Sequence, residues 1–244
     1  MGCVISLRRK AERGRKVEMI ECMKNMALKY QQKQILKENN NMKIVTKTEQ
    51  ECSLEDLRKI IRRGDVAEFL KTGDSLWLKF DSEETQFDII GINAEKNIDH
   101  CITIQMHNLI EERPFDTTGD FGSDVWETSG LRKYLNSTEF ASRFEDLTNY
   151  ITQVEKENSN GKTTKDLFFL PSVDELAPEK TPYEYYKNLA NRVKTDKDGF
   201  VDWYWTRSAR RGNSCYAWYV NSTGRVYVSC AMYAYRCAPA CVIC

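Results

Sequence analysis

The sequence predicts an α+β domain, and three observations predict it. Residues 75–107 hold three consecutive runs with apolar residues at period two. Residues 129–193 hold helical spacing, and residues 202–244 return to strand-like runs. Strands first, helices in the middle and strands last exclude a chain of βαβ repeats. With 244 residues, 41% of them apolar, the chain can bury a sizeable core. Closing strands that return beside the opening ones would bring the ends of the domain together.

Residues 6–40 read as an amphipathic helix, with Val17, Met19, Ile20, Met23, Met26, Ala27 and Tyr30 at three- and four-residue intervals. The asparagine run Asn39–Asn41 stops it. Residues 1–45 are therefore expected to be a helical extension and residues 46–244 the main domain. Ser53 caps a short helix whose apolar face is Leu57, Ile60 and Ile61 and whose terminator is Gly64. "SLWLKF" from Ser75, "QFDIIGINA" from Gln86 and "HCITIQMH" from His100 read as a three-stranded meander.

Helices are expected in "SGLRKYLN" from Ser129, "STEFASRFEDL" from Ser137 and "TPYEYYKNLANRV" from Thr181. "DLFFLPS" from Asp166 reads as a buried strand or its end. "DWYWTRSA" and "AWYVNSTGRVYVS" read as strands, the second a hairpin turning at Asn221–Gly224, where Asn and Gly tolerate positive φ. "APACVIC" is a last apolar strand.

Charge divides the chain. Its 20 Lys and 36 Asp and Glu all lie within residues 1–202, and the last 42 residues contain none, nor any Gln or His. At the density of the first part, about a dozen would be expected there. Six of the twelve Tyr and five of the nine Cys lie in that tail. The formal charge of zero disfavours non-specific nucleic-acid binding by the whole chain. The basic run Arg8, Arg9, Lys10, Arg13, Arg15 and Lys16 reads as a solvated terminus.

No run of 18 apolar residues spans a membrane, and no apolar stretch of a secretory signal follows the basic start. A cytoplasmic or virion-associated protein with reduced thiols is expected. "MGCVIS" fits a myristoylation pattern and the last four residues fit a prenylation pattern. Both are short enough to arise by accident, and no lipid anchor is expected.

Ligand patterns are weak. Cys237, Cys241 and Cys244 have a cluster-ligating spacing, but the run alternates like a strand and reads as core-filling thiols. His100 and His107 lie seven apart around a strand and would point to opposite faces. Asp116, Asp120 and Asp124 have the wrong spacing for a calcium loop. No phosphate loop, nucleophile elbow or metalloprotease helix occurs, so neither a cofactor, a metal nor a catalytic activity is expected.

Four pieces in order carry a resemblance. "WETSGLRKYLN" (Trp126, Ser129, Leu131, Arg132, Leu135, Asn136), "FFLPSVDE" (Phe168 to Glu175), "WYWTRSA" (Trp203 to Ala209) and "APACVI" (Ala238 to Ile243) resemble a domain family of gut bacteria and their phages. The resemblance covers roughly residues 70–244. It implies a C-type-lectin-like fold: a mixed, mainly antiparallel sheet with flanking helices, here preceded by the helical extension. Tyr134, Thr206 and Cys237-Ala238 depart from the usual residues. The calcium signatures and paired cysteines of animal lectins are absent, so calcium-dependent sugar binding does not carry over.

Within that fold the tail resembles the variable region of a target protein of a diversity-generating retroelement. Such systems randomise template adenines, and the favoured codons AAC and AAT cannot reach Lys, Glu, Gln, Met or Trp when their first two bases change. The resemblance implies diversified positions in about residues 204–236: Gly212, Asn213, Cys215, Tyr216, Tyr219, Asn221, Ser222, Thr223, Arg225, Tyr227, Val228, Ser229, Cys230, Tyr233 and Tyr235. Trp126, Arg132, Trp203, Trp205, Arg207 and Trp218 would be fixed framework, with Met232.

The implied partner is a protein ligand held by rigid tyrosines and adaptable Ser, Asn and Gly, as in antibody paratopes. The variable side chains should then share one exposed face. Self-association would run through residues 17–30. Two alternatives stand beside this: an undiversified interaction module of the same fold, in which β-propensity alone selects Tyr, Val and Cys, and an oxidase of the formylglycine-generating type using Cys230, Cys237 and Cys241.

Overall fold

Backbone pairing in the computed structural model, which describes residues 41–45, 49–177, 179–180 and 183–244, organises the chain into two large sheets and one hairpin. The expected helix over residues 6–40, its assembly face and the N-terminal lipidation pattern lie outside the described residues. The domain is mixed α+β, with mostly antiparallel strands and few helices.

The first sheet has seven strands in the order β2-β1-β3-β4-β5-β14-β7. They are β1 (Asn41–Val45), β2 (Glu49–Ser53), β3 (Ser75–Phe80), β4 (Glu83–Ile92), β5 (Ile102–Met106), β7 (Ile151–Thr152) and β14 (Ala240–Ile243). The expected meander is β3-β4-β5. The closing strand β14 does return to the opening ones, with Cys241 opposite Ile104. The strand β1, paired to β3 through Lys43 and Trp77, puts residues 41–45 in the sheet rather than in the extension to which the sequence assigned them.

The second sheet has five strands in the order β12-β11-β10-β13-β6. These are β6 (Ile110–Pro114), β10 (Tyr204–Ala209), β11 (Tyr216–Val220), β12 (Val226–Cys230) and β13 (Ala234–Cys237). All neighbours run antiparallel except β10 and β13. The separate hairpin is β8 (Val154–Glu157) with β9 (Thr163–Asp166).

Two adjacent strands cross together from one sheet to the other. β5 pairs with β14, and their continuations β6 and β13 pair in the second sheet, with Ile110 opposite Cys237. Pro239 sits at this corner, and its carbonyl accepts from the Met106 N–H at 3.0 Å. Gln105 is fully buried there, donating to the Ala238 carbonyl at 2.9 Å and accepting from the Tyr186 hydroxyl. A polar group so deep is stable only because both ends of its amide are bonded.

The helices are short. In α1 (Leu54–Arg62) the Ser53 side chain accepts from the Asp56 N–H, and Leu57 and Ile61 are fully buried. The others are α2 (Val66–Phe69), α3 (Gly130–Leu135), α4 (Thr138–Ala141) and α5 (Val173–Leu176). The helix expected from Ser137 lasts one turn, because Phe144 leaves it to bridge Phe80 and stack in the Phe80, Phe140, Phe168 cluster.

The helix expected from Thr181 is replaced by two 3-10 turns, Glu184–Lys187 and Leu189–Arg192. Tyr183 and Tyr186, three apart and both fully buried, suit a tighter turn, and the Asn188 side chain restarts the chain by accepting from the Ala190 N–H. Among the described residues no helix is long and apolar enough to cross a membrane.

Candidate functional site

The tail supplies four of the five strands of the second sheet, β10 to β13. Its hairpin forms where the sequence places it. Asn221 donates its N–H to the Arg225 carbonyl at 2.9 Å, and Gly224, at φ 76°, donates to the Asn221 carbonyl. The Asn221 side chain accepts from the Thr223 and Arg225 N–H groups at 3.0 Å. This is a three-residue loop closed by a glycine in the left-handed region, which suits the twist of the flanking strands.

From that turn the register runs without a slip: Val220 opposite Val226, Tyr219 opposite Tyr227, Trp218 opposite Val228, Ala217 opposite Ser229 and Tyr216 opposite Cys230. Alternation then sorts the side chains. Ala217, Tyr219, Tyr227 and Ser229 share one side with Trp203, Trp205 and Tyr235. Tyr216, Trp218, Val220, Val226, Val228 and Cys230 share the other.

The first side is a graded aromatic row. Trp205 is fully buried, and its indole N–H donates to the Arg113 carbonyl at 3.0 Å. Tyr235 and Tyr219, half-buried, lie 4.7 and 6.3 Å from it by ring centroids. Trp203 stacks on Tyr219 at 5.2 Å and is 39% exposed, and Tyr227 is 46% exposed. Burial and the neighbouring Tyr235 and Tyr227 hydroxyls push the Tyr219 phenol up, so it stays a neutral donor. Tyr233, 61% exposed, and Met232 lie in the turn between β12 and β13.

Of the fifteen positions expected to vary, Ser229 alone is buried, its hydroxyl 2.9 Å from that of Tyr235. That hydroxyl braces the aromatic row from beneath and is not free to meet a ligand. Gly212, Ser222, Thr223, Arg225, Tyr227 and Tyr233 are exposed, and the rest are half-buried. The expectation of one shared face is corrected: strand alternation puts Tyr216, Val228 and Cys230 opposite the Tyr219 side.

Four of the expected framework residues are anchored. Trp126 donates to Asp166 at 3.1 Å and Arg132 to the same carboxylate at 2.6 Å. Arg207 is buried in an ion pair with Glu175, and Trp205 is placed as above. Trp218 is half-buried, whereas Trp203 and Met232 are exposed. Thr206, a departure from the family pattern, is buried with its hydroxyl donating to the Trp218 carbonyl at 2.8 Å.

At the Ala209 end of β10, a cleft of about 770 Å³ runs between Asp124–Glu127, the turn Asn158–Gly161 and the loop Arg210–Ser214. Gly212 and Asn213 line it, and the Cys215 thiol donates to Asn213 Oδ1 at 3.1 Å. Two contributors were not foreseen. The β8–β9 hairpin supplies Asn158–Gly161, and its short alternation Val154-Glu-Lys-Glu before an Asn-Ser-Asn-Gly turn was the available signal. Phe121, 64% exposed, accepts from the Cys230 thiol through its carbonyl. A lone aromatic between Gly119 and Gly122 could have flagged it.

Beneath the cleft lies a buried charge network. Arg207 and Lys156 both reach Glu175, and Lys156 also bonds Glu95 at 2.5 Å and the Tyr183 hydroxyl at 2.7 Å. Burial opposes ionisation of Glu175, but Arg207 and Lys156 outweigh it and hold the carboxyl down at about 2. A second network gathers around Asp88, which accepts from His107 Nδ1 at 2.8 Å and from the Tyr185 hydroxyl at 2.9 Å. Burial pushes the Lys194 ammonium down to about 8, Asp88 at 3.9 Å recovering only part of the cost.

The remaining candidates are structural. Asp116 is buried and takes the N–H groups of Thr118, Ser123 and Gly130, closing the loop over residues 116–130. Cys237 and Cys241 are enclosed in the core, where burial pushes their thiols up, while Cys230 lies apart on the edge strand. No group of three or more His, Cys, Asp or Glu side chains is poised around a common point among the described residues.

No curated protein and no solved structure matches the chain. Residues 99–244 match a family described as a domain of unknown function, DUF6273, and the matched part begins just before β5 and takes in the whole second sheet and its aromatic row. On that match, which covers more than half of the sequence, the chain belongs to the DUF6273 family.

Proposed function

We propose that this protein is a binding module, not a catalyst, that recognises a protein ligand through the β10–β13 surface. On this reading the scaffold is a C-type-lectin-like fold and the tail is the variable region of a diversity-generating retroelement target. One observation carries the reading: an aromatic row that runs from buried Trp205 through half-buried Tyr219 to exposed Trp203 and Tyr227 grows out of a sheet whose residues 203–244 contain no Lys, Asp, Glu, Gln or His. Surface strands ordinarily carry those residues. Tyrosine and tryptophan offer large, rigid contact area at low entropic cost.

Solvent access at the variable positions supports diversification, while their division between two sides of the sheet counts toward the undiversified module. Fourteen of the fifteen positions are exposed or half-buried, and the buried Arg207 and Trp126 are anchored by Glu175 and Asp166, outside the variable set. A cytoplasmic or virion location and assembly through residues 1–45 belong to the same proposal. Sedimentation with and without that segment tests the assembly, and an unchanged mass per particle sinks it.

Sequencing the DNA around codons 204–236 tests the diversification. A near-identical repeat that differs almost only at adenines, beside a reverse-transcriptase frame, is the expected finding. Its absence would leave an undiversified interaction module.

A further inference from the structure

The outer side of β12 is an unpaired strand edge. β12 ends the order of the second sheet, and β11 is its sole ladder partner among the described residues. Which backbone groups face outward follows from the pairing. Asn221 N–H bonds the Arg225 carbonyl, and Ala231 N–H bonds the Cys215 carbonyl. In an antiparallel ladder, hydrogen-bonded pairs alternate with unbonded ones, so Arg225, Tyr227, Ser229 and Ala231 turn their backbones toward β11. Val226, Val228 and Cys230 turn theirs away from it.

This edge lacks the usual protection. Exposed edges are normally blunted by lysine, proline, inward charges or a covering element. Here the strand is Val-Tyr-Val-Ser-Cys, without charge and without proline. Charge gathers only at its ends. Arg225 is exposed at its start, and Arg210 lies 5.9 Å over the ring of Tyr216, the residue opposite Cys230 at its finish. Among the described residues, Arg210, Arg211 and Arg225 form no ion pair, whereas Arg207 and Arg236 are both engaged.

We propose that the β12 edge takes up an extended, acidic segment of the protein ligand as a sixth strand. The inference rests on the binding reading above and adds the mode of contact. Backbone groups of Val226 and Val228 would hold the segment, the aromatic row would grip its side chains on one side, and Arg210 and Arg225 would meet its carboxylates. Backbone pairing does not depend on side chains. Such an anchor would survive changes at Tyr227, Val228 or Cys230 that alter specificity.

The test uses the full chain and a labelled short peptide alternating glutamate and valine, followed by fluorescence anisotropy. The acidic peptide is expected to bind, and its lysine counterpart is not. Val228→Pro removes an outward N–H while sparing the ladder to β11. It should weaken binding by about tenfold or more with the melting temperature little changed. If that variant unfolds, a peptide N-methylated at alternate residues asks the same question, and it should bind about tenfold more weakly than its parent.

Equal binding by the methylated and parent peptides, or by a folded Val228→Pro chain, overturns the proposal. So does failure of the acidic peptide to bind, or a dimer that Val228→Pro dissolves, which would assign the edge to a second copy. The retroelement reading is judged on DNA and the aromatic row on its own variants, so any of these results removes the added strand alone.

Discussion

Tyr219 and Tyr227 face each other across the β11–β12 ladder with ring centroids 6.3 Å apart, yet only Tyr219 packs against the main core. Tyr219 touches the rings of Trp203, Trp205, Tyr227 and Tyr235, and Tyr227 has Tyr219 as its ring partner. Tyr219→Ala is therefore expected to cost about 2–3 kcal/mol in urea unfolding, and Tyr227→Ala less than about 1 kcal/mol. Ligand binding should fall in both. Equal stability losses would show that the row is core throughout and remove Tyr227 as a recognition residue.

Arg207 makes the second testable point. Its guanidinium and Lys156 are the two cations that neutralise Glu175. Arg207→Met should destabilise the fold by about 3–5 kcal/mol, because removing one partner of a buried pair strands the other. The double change Arg207→Met with Glu175→Gln should recover part of that loss. A double variant no more stable than the single one would place the cost in packing alone.

The same networks set a pH profile. Glu175, held at about 2 against an ordinary 4.5, and Asp88, held below its ordinary 3.8, contribute stability that is present above those ordinary values. It is lost as pH falls toward about 2. Lys194 works with the opposite sign. Its folded value of about 8 lies below the ordinary 10.5, so between them the unfolded chain binds more protons and stability rises with pH. Calorimetry should show the acid limb; on the alkaline side the buried Cys237 and Cys241 thiols, pushed up from their ordinary 9.0, withdraw stability as pH rises, so the Lys194 contribution is read as the difference between the parent chain and Lys194→Met. A difference that does not grow in the parent's favour between pH 8 and 10.5 would refute the assignment.

Gly122 tests the loop beside the row. It has φ 74°, and an added Cβ would lie 2.4 Å from the Asp116 carbonyl oxygen and 3.0 Å from Ala231 Cβ. Gly122→Ala should cost more than about 1 kcal/mol, since both backbone strain and contact oppose it. An unchanged melting temperature would show that the loop yields freely and does not brace β12.

The legible parts of the sequence were those where local pattern and tertiary role agree. Ser53 caps its helix as read, and the helices expected from Ser129 and Ser137 start there with those serines as caps, because a cap needs only its own backbone. The Asn221–Gly224 turn announces itself by residues that tolerate positive φ. Residues 181–193 misled because buried tyrosines at three-residue spacing satisfy both an α-helix and a 3-10 turn, and the burial of Tyr183 and Tyr186 decides between them. Strand β6, "IEERP", carries charges on three of its five residues and no period-two signal. Its place is fixed by β13, far away in sequence. The tail's charge boundary was visible, but which side of the hairpin each residue takes was not, since that depends on register.

The unslipped ladder from Val220–Val226 to Tyr216–Cys230 also constrains inheritance. A substitution in this hairpin changes one side chain, but an insertion or deletion of a single codon would invert every position beyond it. The aromatic row would then trade places with Val226, Val228 and Cys230, and each side would present the other's side chains to its own packing partners. Across a population of such genes, this stretch should therefore hold a constant length while its spelling drifts.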